Sequence, residues 1–343
     1  MSGDGLNERS GRGEERAPSA EKAKAGARPI NPSGDGLNER SGDRPTLKSG
    51  RAIAWARRRA ALADFVRLYS KQRAGVAGLL VLIVITAATV FAPFYTDESE
   101  LRAVNAPGGR LESPNSTFWF GTDEVGRSIL LQVIWGARVS LQIGIVAAVL
   151  AVGLGTLIGM TAAHFGGWPS WLLMRLTDWF IVLPNLVLAI ALVVALGASR
   201  FTIIVAIALT SWAATARLVR AQTMAIEGRP YLERAKALGA GHWHQMSRHV
   251  LPNLMPLILA AATLQVSSAI LAEAALSFLG LGDPSQISWG TLLERAFHAG
   301  AISYGAWWYM LPPGLAILFV VLAFTLCGRA METVLNPRLR GSR

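Results

Sequence analysis

Six apolar runs, each near the length needed to cross a bilayer, constrain this chain more than anything else in it: residues 75–93, 141–163, 179–196, 201–216, 254–280 and 309–327. A hydrocarbon layer about 30 Å thick takes ~20 helical residues to span. No water is available there to satisfy backbone N–H and C=O groups, so each run must satisfy its own by folding as a helix. The expected fold is therefore all-α and polytopic, with six transmembrane helices. The fourth run is the shortest and is diluted by Thr210, Ser211 and Thr215, hydroxyls that a neighbouring helix can satisfy. With 52% hydrophobic and 16% charged residues, the chain also holds more apolar side chains than one soluble core would use.

Net charge is +11, and its placement argues for topology, not nucleic acid. Residues 1–74 hold 16 Lys and Arg, residues 214–253 hold six and the tail after Cys327 holds four. Residues 95–140 hold four against six acids, and residues 281–309 hold only Arg295. Positive residues gather on the cytoplasmic side. Both termini and residues 231–252 are thus expected inside, with 95–140 and 281–310 outside. The excess positive charge then serves orientation and attraction to anionic lipid.

Cys327 is the single cysteine, so no intrachain disulfide and no Cys-rich metal site is available. His242 and His244 are two residues apart, which on a helix points them about 200° apart, so they read as surface histidines and no metal site is expected. No Gly-rich phosphate cradle ending in Lys and Ser or Thr occurs, so any ATP must be hydrolysed elsewhere. A proton- or sodium-driven secondary transporter would place several ionisable groups at mid-membrane. Glu273 stands nearly alone there, and no Ser-His-acid or metal-spaced cluster suggests a membrane enzyme.

Residues 1–50 are rich in Gly, Ser, Arg and Glu and contain SGDGLNERSG twice, at 2–11 and 33–42; a disordered cytosolic tail is expected. Residues 51–73 carry Trp55, Leu62, Val66 and Tyr69 on one helical face and Arg57, Asp64, Arg67 and Lys71 towards the other. Arg58 and Arg59 lie at the margin, as in an interfacial amphipathic helix. Residues 74–343 then form the membrane domain. Gly155 and Gly159, four apart, favour close helix approach, and Pro184 predicts a kink in the third span near Asp178.

Two polar segments carry a resemblance. Between spans four and five, YLERAKALGAGHWHQMSRHVLP has Glu233, Arg234 and Ala235, then Gly239, and ends on Leu251 and Pro252. In the outer segment, Gly121-Thr122-Asp123, Gly126-Arg127, Gly136-Ala137-Arg138 and Ser140-Leu141 follow in order, with Ser128 and Leu131-Gln132 departing from the usual pattern. Together these resemble permease subunits of dipeptide, oligopeptide and nickel ABC-type importers, with QVSSAILAEAALSFLGLGDP at 265–284 and NPRLR at 336–340 matching as well. Asp123 and Arg127, four apart, are expected to pair across a short helix.

That resemblance implies a type I importer permease (MetI-like) fold with a cytosolic coupling helix, in a bacterial inner membrane. Residues 222–253 would form the coupling segment: a helix over 229–238 opened by Pro230, a break at Gly239-Ala240-Gly241, and a second helix over 243–250 ended by Pro252. Glu233, Arg234, Ala235, Gly239, Leu251 and Pro252 would be its ATPase-coupling residues. The implied partners are a second homologous permease in a heterodimer, two ATPase subunits or domains, an extracytoplasmic substrate-binding protein and membrane lipid. No cofactor is expected in this chain, ATP and magnesium being bound by the ATPases. Peptide is the expected cargo, with nickel chelates or glutathione as alternatives. Glu273 and Ser277, which share a helix face, and Gln265 nearby are candidates for the translocation path; a structural hydrogen bond at the interface with a second permease is the competing reading.

Overall fold

The computed structural model describes residues 50–335, and the chain divides into Met1–Ile53 and Ala54–Arg343, the second of which concerns everything below. The duplicated segment and the NPRLR ending lie outside the described residues. Helix α1, Gly50–Ser70, covers the stretch expected to be interfacial. Arg59 lies over the Trp55 ring at 4.0 Å, and Trp55 and Val66 are exposed. Tyr69 instead turns inward and donates its hydroxyl to the Gly75 carbonyl at 3.1 Å.

Among the described residues five helices are long and apolar enough to cross a bilayer, and a bent pair brings the number to six when counted as one span. They are α2 (Arg73–Tyr95), α3 (Ile129–Phe165), the pair α4 (Gly167–Val182) and α5 (Asn185–Leu196), α6 (Arg200–Glu227), a helical rod His242–Leu281 kinked near its end at Gly280 (φ +79), and α11 (Trp307–Leu335). The kink expected at Pro184 is a 92° bend between α4 and α5, with Pro184 as the cap of α5. The fourth span, the least apolar, is 28 residues long. Its Thr210 hydroxyl bonds back to Ala206 O at 2.9 Å, within its own helix and not with a neighbour.

The rod joins four pieces: α8 (His242–His244), a π turn at Gln245–Val250, α9 (Leu251–Leu276) and a second π turn at Ser277–Leu281. Two expectations change here. The second helix of the loop is not a separate element, and Pro252 does not end it. In the π turn Leu251 N reaches back to Met246 O, a wider pitch placed just before the proline, where the missing N–H and the ring clash would otherwise break an α ladder.

Gly155 and Gly159 seat α3 on α6: a Cβ at Gly155 would lie 2.6 Å from Trp212 O, and one at Gly159 2.3 Å from Ala216 O. Their contacts advance in the same direction along both helices, so α3 and α6 run parallel. Gly144 of α3 makes room for the Ile270 side chain of α9, which would lie 2.4 Å from a Cβ there. The core gathers Ile143, Ala147, Ile203, Ile207, Ile270 and Val320 from α3, α6, α9 and α11.

Helix α3 begins at Ile129, twelve residues before the apolar run at 141, so the segment expected to be loop as far as Ser140 is shorter. What precedes it is a tight turn built on Asp123. The Asp123 carboxylate, fully buried, accepts from Val125 N, Arg127 N, Arg127 Nε at 2.6 Å and Gln132 Nε2 at 2.9 Å. The expected Asp123–Arg127 pair therefore forms, but in a turn and not on a helix. Gly126, at φ +89, admits the Gly108 carbonyl where any Cβ would lie 2.1 Å away.

Candidate coupling elbow and buried carboxylate

Helix α7, Pro230–Ala237, follows α6 after a two-residue turn. Pro230 occupies its first turn, where the absent N–H costs nothing, Glu233 lies in the first turn, and Arg234 and Lys236 in the last, as the helix dipole favours. Gly239 then adopts φ +82, and nothing lies within 4 Å of where its Cβ would be. Backbone conformation alone demands glycine there. Ala240 N closes the turn on Ala235 O at 3.0 Å, and Gln245, buried, donates to Ala240 O at 2.5 Å.

The resulting elbow is fastened to the bundle by an apolar cluster of Leu232, Met246, Val250 and Leu254 with Met160 of α3 and Val219 and Ile226 of α6. Leu232 is fully buried, whereas Leu238, six residues on, is 88% exposed. Helical geometry separates the two by about 240°, so only one could face the bundle. The coupling residues expected from sequence divide accordingly. Glu233, Arg234 and Pro252 are exposed, Gly239 makes the bend, Ala235 is half-buried and Leu251 packs against the cluster. The anchor Leu232 and the exposed apolar pair Leu238 and Trp243 were missed. Their signal was available: bulky apolar residues in an otherwise polar loop.

Glu273 and Ser277 do meet. The fully buried Glu273 carboxylate accepts from Ser277 Oγ at 2.8 Å and from Ser140 Oγ of α3 at 3.0 Å. Ser140 Oγ in turn accepts from Trp289 N at 3.2 Å, at the start of α10, Trp289–His298. Gly290 lets α10 close on α9, since a Cβ there would lie 2.7 Å from Ala274 O. This polar knot ties α3, α9 and α10 together. A carboxylate among helices needs partners, and α3 supplies one. Gln265, half-buried, sits about 12 Å back towards the start of α9 and is not part of the knot.

A cavity of about 530 Å³ opens near the elbow between α3, α4 and α6, lined in part by Gly167, Ser170, Trp171, Arg175, Asp178 and Arg220. At its margin Arg217 donates to Asp178 Oδ1 at 2.6 Å.

Residues 155–341 match the family described as binding-protein-dependent transport system inner membrane component. The chain is 38% identical to the di/tripeptide transport system permease protein of Pseudomonas aeruginosa over 82% of its own length and 93% of the relative's. It is 34% identical to the oligopeptide transport system permease protein of Bacillus subtilis, covering 81% of this chain and 90% of that one. The glutathione transport system permease protein of Pectobacterium atrosepticum is also 34% identical, covering 81% and 91%.

Proposed function

This chain belongs to the binding-protein-dependent transport system inner membrane component family, and from that membership we propose that it forms, with a second permease, the membrane path of an ATP-driven peptide importer. The observation that carries the proposal is the elbow. It is rigidly bedded in α3, α6 and α9 through Leu232, Val250 and Leu254, yet presents Glu233, Arg234, Leu238 and Trp243 outward. A device that turns contact with a soluble motor into helix movement needs both properties.

In this reading both termini and the elbow are cytoplasmic, as the distribution of Lys and Arg favours. The turn on Asp123 and helix α10 then lie on the outer side, where a binding protein would deliver cargo. Two ATPase subunits or domains bind and hydrolyse ATP with magnesium; this chain contributes no nucleotide site. Closure of the ATPases presses on the elbows of both permeases and opens the bundle outward, and hydrolysis returns it. A near-complete switch needs about 5.5 kcal/mol of bias, which an elbow with several buried anchors can transmit.

Peptide is the preferred cargo because relatives named for dipeptide, di/tripeptide and oligopeptide transport match over most of the chain. The glutathione permease keeps a glutathione-like cargo as the second reading. Assemblies captured through a tag on this chain and reconstituted with their binding protein decide both points. ATP-driven uptake of short peptides supports the proposal, preferred uptake of glutathione selects the second reading, and uptake driven by a proton gradient without ATP refutes both.

A further inference from the structure

Besides its apolar bed and the bond from Asn253 Nδ2 of α9 to the Tyr231 hydroxyl at 3.3 Å, a chain of polar side chains joins the elbow to α3 and α6. His164, next to last in α3, places Nδ1 2.5 Å from Oε1 of Glu227, the last residue of α6. Its Nε2 lies 2.9 Å from Nδ1 of His242, the first residue of α8. The His164 side chain is 2% exposed and that of Glu227 15%. The Phe165 ring flanks both imidazoles, at 5.2 Å from His164 and 5.5 Å from His242. A neutral His164 donates from Nδ1 to the carboxylate and accepts at Nε2 from His242; a protonated His164 donates to both.

Its position gives it a mechanical role. His242 is the first residue fastened to the bundle after the glycine bend, whose Gly239 and Gly241 have open space around them. At the other end of the link, α3 and α6 cannot slide past each other, because Gly155 and Gly159 seat them backbone to backbone. Apolar contacts such as that of Leu232 are non-directional, whereas hydrogen bonds fix both distance and angle. We propose that His164 is a positioning residue of the transport cycle: with Glu227 and His242 it forms a strut that passes displacement of the elbow to the α3–α6 pair. The proposal rests on the coupling function proposed above and extends it to residues outside the loop.

The test uses the full importer assembly with this chain carrying Cys327→Ser, Leu157→Cys on the exposed flank of α3 and Leu238→Cys on the elbow, both new cysteines spin-labelled. The 157–238 distance is measured without nucleotide and after trapping with Mg–ATP and vanadate. With His164 intact, one narrow distance is expected in both states, since elbow and α3 move together. His164→Ala is expected to keep that distance without nucleotide and to shift or broaden it on trapping. His164→Gln, whose amide can donate to Glu227 and accept from His242, is expected to restore the narrow distance. The strut is overturned if His164→Ala matches the parent in both states. It is equally overturned if Ala and Gln variants broaden alike without nucleotide, as a merely structural role would have it. The mobility of the single label at 238 separates the two ideas: if trapping leaves it unchanged in the parent, the ATPase does not engage the elbow, and the coupling function falls along with the strut.

Discussion

Two glycines on α3, Gly153 and Gly159, have different consequences for the same substitution. Gly159→Ala would set a methyl 2.3 Å from the Ala216 carbonyl, a backbone atom that can move only if α6 moves, whereas nothing lies within 4 Å at Gly153. Overpacking of this kind costs about 1–3 kcal/mol or more, so Gly159→Ala should lower the thermal unfolding midpoint in detergent by several degrees. Gly153→Ala should leave it level or slightly raised, since alanine is the better helix former. Asp283 carries a pH prediction. Its carboxyl is held below the usual range first by the Ser285 hydroxyl, with the Ser285 and Arg200 backbone N–H groups and the Arg200 charge adding to the effect against some burial. A depressed folded value means that stability is present above the unfolded value and lost as pH falls through the folded one. The turn after the rod should therefore loosen only below about pH 4, and Asp283→Asn should remove that part of the acid sensitivity in an unfolding series. The spacing of Gly155 and Gly159 and the bend at Gly239 were legible in sequence because they are local. The enclosure of Glu273 was not, because its partner Ser140 lies 133 positions away.

At the scale of elements, the elbow is a short helix whose stability comes from one side. Leu232 is fully buried in the cluster under α7, while Leu238 is almost fully exposed. Leu232→Ala should cost about 2–5 kcal/mol of local anchoring and make α7 open, seen as faster trypsin cleavage after Arg234 and Lys236. Leu238→Ala should leave that cleavage rate unchanged. If both variants were cut at the parent rate, the elbow would not be bedded through Leu232. Element ends were the least legible part of the sequence. Helix α3 extends back to Ile129 because Gln132, which interrupts the apolar pattern, finds Asp123 as a partner and becomes buried. Pro252 reads as a helix end by local rules, yet the π turn ahead of it absorbs the proline and joins the elbow to α9 as one rod. Pro184 does break its span, because no such turn precedes it and the chain takes a 92° corner there.

For the whole molecule, the described residues supply up to six crossings, with the bent pair counted as one, and the proposed orientation rests on the distribution of Lys and Arg. Buried glycine seams make α3 and α6 one body, and the knot on Glu273 fixes α10 to it at the end away from the elbow. Force on the elbow can therefore reach the opposite face without being lost between helices. The most direct test of this account is cysteine cross-linking from Leu238→Cys, in a chain lacking Cys327, to the subunits that co-purify with it. Position 238 should be reached by a membrane-impermeant thiol reagent only from the inner side. A cross-link to an ATPase subunit should form, with a yield that changes between nucleotide-free and ATP-trapped states. Labelling from outside, or uptake by intact assemblies in which no ATPase can be cross-linked to the elbow, would contradict it.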